Sequence, residues 1–157
     1  MNELTKAERL KIEAAACRAI GRIYHCSPIC CKTPLSQTGP AHEFDIYADG
    51  IVIGGVSTSP LKTSPGSRNT GGCDRACSEL LWLSLWQGNE TRVHVLTDKA
   101  LAEWLVRRYE GAIFPHSITI YHFDHPGDAL HEVGILASLT RPSSAPEKTE
   151  AHERFQG

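Results

Sequence analysis

Apolar positions recur in two different periods along the chain. From residue 4 to 24, Leu10, Ala14, Cys17, Ile20 and Tyr24 fall at three- and four-residue spacings, which predicts a helix that docks by that face. Residues 25–41, HCSPICCKTPLSQTGPA, carry three prolines and no period, so they are expected to form an irregular connector. Strand signals follow at 43–49, where FDIYAD alternates, and at 51–58, IVIGGVST, and Asp49-Gly50 between them suits a tight hairpin turn. The segment 61–72, LKTSPGSRNTGG, is loop by composition, with at most a short edge strand. CDRACSELLWLSLWQ, 73–87, is apolar enough to predict a mostly buried helix, stopped by Gly88. TRVHVLTD, 91–98, reads as a strand whose end caps the helix DKALAEWLVRRYEG, and SITIYHFD, 117–124, as a further strand.

An order of strand, helix, strand, helix, strand predicts an α/β fold with a mixed sheet, partly parallel, flanked by helices. Three parts are expected: a helix and a Cys- and Pro-rich connector (1–41), an α/β core (42–139), and a tail (140–157) whose Pro, Ser, Glu and Lys content predicts disorder. No internal repeat is present.

Composition narrows the class. A chain of 157 residues that is 41% hydrophobic and 22% charged fits one globular domain with its own core. The opening MNELTKAERLK is charged and lacks an apolar leader segment, and the apolar run at 80–86 is too short to cross a bilayer, so a cytosolic protein is expected. A formal charge of -2 gives no global cationic field, so nucleic-acid binding would need a local patch or bridging metal ions. Lys62, Arg68 and Arg75 flank one loop and are the candidate substrate-binding cations; Arg107 and Arg108 sit together on a predicted helix. The six cysteines are expected to be reduced and structural, with Cys77 buried; HCSPICC and CDRAC lack the CxxC zinc knuckle, and a zinc site from Cys26, Cys30, Cys73 and Cys77 is the alternative.

The acidic residues carry the candidate chemistry. Asp49 ends the first strand, Glu79 opens the apolar helix and Asp98 ends VHVLTD. Parallel strands bring their carboxyl ends to one edge, where α/β folds place their sites. A carboxylate within ELLWLSLW costs several kcal/mol to bury unless it is paired, protonated or bound to a cation, and a divalent metal would resolve all three acids at once.

These residues resemble the ribonuclease H-like nucleases over roughly residues 42–135. Ala48-Asp49-Gly50, with Tyr47 before the Asp, is similar to the end of that family's first strand; Glu79-Leu80 is similar to its helical glutamate, and Thr97-Asp98 to the end of its fourth strand. The resemblance implies a ribonuclease H-like sheet with an N-terminal helical extension, a nucleic-acid substrate, and hydrolysis by two Mg²⁺ ions about 4 Å apart. It also implies Asp49, Glu79, Asp98 and Asp128 as catalytic metal ligands, with Asp128 preferred to Asp124, and His125 assisting product release. The family's wide loop after the first strand and its third strand are not matched here.

Plainer readings stand beside this one. Asp49 suits a type I′ turn, Asp98 suits a helix N-cap, and Trp82, Trp86 and Trp104 suit a core. The helix, hairpin, helix, strand order also resembles the restriction-endonuclease-like fold, which would make Asp45 the metal ligand. That family asks for an acidic residue and a lysine on the next strand, where this chain has Gly54, Gly55 and Val56; an altered site would favour binding over catalysis. Cys77-Ser78-Glu79 resembles a zinc-deaminase motif, but no cysteine follows Cys77 to complete it. A non-catalytic interaction or inhibitor protein with a protein partner is the reading from another class.

Overall fold

A computed structural model describes residues 3–139; the expected disordered tail, 140–157, lies outside the described residues. Helix α1 (Lys6–Tyr24) starts at a capping box, in which Thr5 accepts from the Glu8 N–H and the Glu8 carboxylate accepts from the Thr5 N–H. It ends at His25, in the left-handed region at φ 55. Strands β1 (Ile29–Pro34), β2 (Ala41–Ala48) and β3 (Val52–Ser57) form an antiparallel meander. Helix α2 (Thr70–Leu85) leads to β4 (Thr91–Leu96), and helix α3 (Lys99–Arg108) to β5 (Ile118–Asp124). Strand β6 (Ala129–Leu136) returns antiparallel to β5.

The six strands make one open sheet in chain order, with β3, β4 and β5 mutually parallel. The α/β class and the mixed sheet flanked by helices are therefore as expected. α1 covers one face through Ile12, Ala16 and Ile20 against Ile46, Val93 and Phe123. α2 and α3 cover the other through Leu80, Leu83, Leu101 and Leu105 against Phe44, Ile53 and Ile120. With both faces covered, β4 is buried from Arg92 to Leu96, including the polar side chains of Arg92 and His94.

Four local expectations differ. The connector contains β1, because prolines at 28 and 34 flank a run that an edge strand tolerates. Residues after Asp128 form β6, a strand that the apolar pattern does not mark. α2 starts at Thr70, capped by the Asn69 side chain, and is amphipathic: Leu81 and Leu85 are exposed, and only Gly72, Cys73, Ala76, Leu80 and Leu83 are buried. The hairpin turn has Asp49 outside the left-handed region and Gly50 at φ 73, the pattern of a type II turn and not type I′. Among the described residues no helix is long and apolar enough to cross a membrane.

Candidate functional site

Strand β2 carries an extra residue: between Phe44 and Tyr47 it advances three positions while β1 advances two, from Cys31 to Ile29. Such a bulge breaks the alternation of side chains. Phe44 accordingly joins the α2-side core while Ile46 joins the α1-side core. Asp45, between them, leaves the ladder, and its Oδ2 accepts the Val56 N–H at 2.8 Å.

Gly55 follows next on β3 from the Ile46–Gly54 pair, beneath α2. The space its side chain would take is filled by the Glu79 carboxyl: a Cβ on Gly55 would lie 2.5 Å from Glu79 Oε1. Glu79 Oε2 is 3.2 Å from His42 Nε2, and the His42 ring stacks on Trp82 with centroids 4.4 Å apart. Oε1 is buried and has no hydrogen-bond partner. Burial, and then the charge of Asp45, push Glu79 up to about 8. Burial holds the His42 imidazole below its ordinary range, so near neutral pH the pair is mainly a neutral hydrogen bond.

Asp45 is raised by burial, which outweighs the opposing Val56 N–H. It loses its proton while Glu79 still holds one, so Glu79 feels the Asp45 charge and Asp45 does not feel that of Glu79. From the α1 side, burial and then Asp45 also raise Glu13. Beneath Gly55, its β4 neighbour His94 is wholly buried, with Nε2 2.9 Å from Ser57 Oγ and Nδ1 without a partner. Burial brings His94 down to about 3.

The predicted ligands do not assemble as expected. Asp49 sits in the β2–β3 turn, hydrogen-bonded to the Tyr47 hydroxyl at 3.3 Å, and the next residue, Gly50, donates to Glu90 just ahead of β4. Asp98 follows the other end of β4. Because Val52 pairs with Thr91 and Ser57 with Leu96 in parallel register, roughly 20 Å of strand separates Asp49 from Asp98. Asp98 occupies the α3 N-cap position, yet its Oδ2 accepts the Leu61 N–H at 2.6 Å and makes no cap bond. Asp128, at φ 47 in the β5–β6 turn, pairs with Arg22 of α1 at 3.2 Å. Only Glu79 of the four lies in the cluster described above. Asp124 lines a separate cleft of about 540 Å³ with Lys99, Glu103, His122 and His131.

The three expected cations fall together around the loop between β3 and α2. Lys62 and Arg68 bridge its two arms, Arg68 lies over the Trp104 ring at 5.6 Å, and Arg75 Nη2 donates to Ser59 Oγ at 3.1 Å. The cysteines are free thiols. Cys77 is half-buried and not buried, and it faces Arg108 and Tyr109 across α2 from Glu79, which separates the two residues of the deaminase-like motif. Cys30 and Cys31 lie in β1. Among the described residues no group of three or more His, Cys, Asp or Glu side chains is placed to hold a metal ion unaided.

The sequence does not mark His42 or His94, and Gly55 stands out only as a departure from the restriction-endonuclease-like pattern. The one available signal was the Gly54-Gly55 pair inside an otherwise apolar strand, which marks close approach of another group. Compared with protein-family models, curated proteins and solved structures, the chain matches none.

Proposed function

We propose that the protein is a metal-dependent hydrolase of nucleic-acid phosphodiesters whose site is Asp45 and Glu79, with His42 hydrogen-bonded to Glu79 and Arg75 one helical turn before it. The observation that carries this reading is the Glu79 carboxyl with its orphaned, buried Oε1, lodged over Gly55 and within electrostatic reach of Asp45. Two carboxyl groups within electrostatic reach, one held protonated by burial and by the other's charge, form a position that a divalent cation would satisfy better than a proton.

The restriction-endonuclease-like resemblance fits this arrangement better than the ribonuclease H-like one. The latter needs Asp49 beside Asp98, at opposite ends of the sheet. The former needs Asp45 and, on the next strand, a carboxylate and a cation. Here Glu79 of α2 occupies the space over Gly55, and Arg75, one turn earlier, reaches the segment leaving β3 through Ser59.

Mg²⁺ fits the donor set, since it favours carboxylate oxygens and commonly takes only one or two from the protein, with water and substrate phosphate completing the shell. When bound it neutralises phosphate charge and acidifies a water. Asp45 and Glu79 would hold it, the neutral His42 would accept a proton beside them, and Arg75 would orient a phosphate as a planar fork.

The test is incubation with labelled single- and double-stranded DNA and RNA in Mg²⁺, Mn²⁺ or EDTA. Expected is cleavage with metal only, reduced about a hundredfold or more in Glu79→Gln and Asp45→Asn and kept in Asp49→Asn. Cleavage that survives Glu79→Gln, or none under any metal, overturns the reading. A second reading, a non-catalytic binding protein on an altered nuclease-like fold, is favoured by Gly55 and Val56 standing where that family has its carboxylate and lysine. It predicts nucleic-acid or protein binding with no cleavage.

A further inference from the structure

At the end of the sheet where β3 and β4 finish, two arginines from distant parts of the chain share one indole. Arg68, leaving the β3–α2 loop, and Arg108, at the end of α3, place their guanidinium carbons 5.6 and 5.3 Å from the Trp104 ring centre. The loop that presents Arg68 is pinned at several points. Leu61 donates to Asp98, Asn69 donates from its backbone to Leu61 and from its side chain to Pro60, and Lys62 bridges to Arg68. Arg75 joins the same region through Ser59. The three ion pairs among the described residues, Arg22–Asp128, His42–Glu79 and Lys99–Glu103, use none of Lys62, Arg68, Arg75 or Arg108. Four cations that have no carboxylate partner among the described residues are thus gathered on a protein whose net charge is -2.

We infer that Arg68 and Arg108, held on Trp104, form with Lys62 and Arg75 a shelf that binds the phosphate backbone of a nucleic-acid strand. This deepens the hydrolase reading and rests on it for the choice of a nucleic acid as the occupant. The indole does not stack on a base in this arrangement; it holds two planar forks in place, so less side-chain freedom is lost when each engages a phosphate. Guanidinium forks match phosphate oxygens in pairs, which favours a nucleic-acid backbone over the scattered carboxylates of an acidic protein. Recognition through the backbone carries no base sequence, so binding is indifferent to sequence and strongly salt-dependent.

The experiment measures binding of fluorescent oligonucleotides of two unrelated sequences, single- and double-stranded, by anisotropy over a salt series in EDTA, where no cleavage occurs. For wild type, log K falls with log salt at a slope of about -3 for a duplex, as three to four phosphate contacts require. The Arg68→Gln/Arg108→Gln double variant is expected to lose about two units of that slope while melting like wild type. Arg68→Lys/Arg108→Lys keeps the charges and is expected to restore the slope with weaker binding, an outcome that a folding defect would not produce. Trp104→Leu, which frees the guanidiniums, weakens binding with the slope retained. An unchanged slope in the glutamine double variant, or binding to polyglutamate but to no oligonucleotide, overturns the shelf. Cleavage assays in Mg²⁺ separate the two claims: binding with an intact slope but no cleavage by wild type sinks the hydrolase reading alone, and cleavage unaffected by the glutamine double variant sinks the shelf alone.

Discussion

Glu79 keeps its proton to about 8 because burial and Asp45 both oppose its charge, whereas an unfolded chain releases that proton near 4.5. Between these values the folded state binds more protons than the unfolded one, so stability falls as pH rises. His94 acts in the opposite direction: burial brings it down to about 3 from 6.5, the unfolded chain binds more protons in that interval, and stability rises with pH there. The slopes oppose one another from 4.5 to 6.5, which predicts a plateau bounded by an acid limb due to His94 and an alkaline limb due to Glu79. Thermal melts across this range should show both limbs, and Glu79→Gln should remove only the alkaline one; an alkaline limb persisting in the glutamine variant would assign it elsewhere. Gly54 and Gly55 give a second residue-scale contrast. A Cβ at Gly55 meets the end of a side chain, so Gly55→Ala should displace the Glu79 carboxyl, lose activity and cost about 1–3 kcal/mol. A Cβ at Gly54 meets the Val93 carbonyl, which belongs to the neighbouring strand and cannot swing aside, so Gly54→Ala should lower the melting temperature more. The reverse order would contradict the packing.

The elements owe their bounds to contacts beyond their own periods. Helix α2 ends without a glycine cap; Arg92 from β4 donates instead to the carbonyls of Leu83, Trp86, Gly88 and Glu90 at 2.7–3.2 Å. One buried guanidinium thus satisfies two acceptors at the helix end, Leu83 and Trp86, with two of the loop that follows, and complements the helix dipole. Arg92→Met keeps an apolar stem and removes every donor, so a loss of about 3–5 kcal/mol is expected by denaturant titration, with Arg92→Lys recovering only part of it. A change below about 1 kcal/mol would mean that water serves those carbonyls as well. Strands β3, β4 and β5 and helix α1 were legible because their apolar residues recur in a single period over several positions. β1 and β6 were not, because edge strands pair on one side only and tolerate Pro28, Pro34 and the polar run His131-Glu132. The bulge that releases Asp45 leaves no local mark in AHEFDIYA, since it exists only relative to β1.

At the scale of the molecule, a sheet in chain order with helices on both faces makes the parallel strands the most protected part. Hydrogen exchange is expected to be slowest at Ile53–Val56, Val93–Leu96 and Ile120–Phe123, and fast along the outer edges of β1 and β6. Slow exchange in β1 would point to a strand added at that edge. The sequence by itself determined the α/β class, the hairpin at Asp49-Gly50, the helices on either side of β4, and the burial cost attached to Glu79, because each follows from local period, turn chemistry or the price of a charge among apolar neighbours. Which acids meet was decided by the tertiary structure alone. Asp49, Asp98 and Glu79 carry equal weight as letters, but strand direction puts the first two at opposite ends of β4, and the choice of Asp45 as the partner of Glu79 depends on a bulge and on a glycine gap that exists only once α2 lies on β3. Spacing along a chain constrains the faces of its elements; the order and direction in which strands pair decide which faces and ends come together.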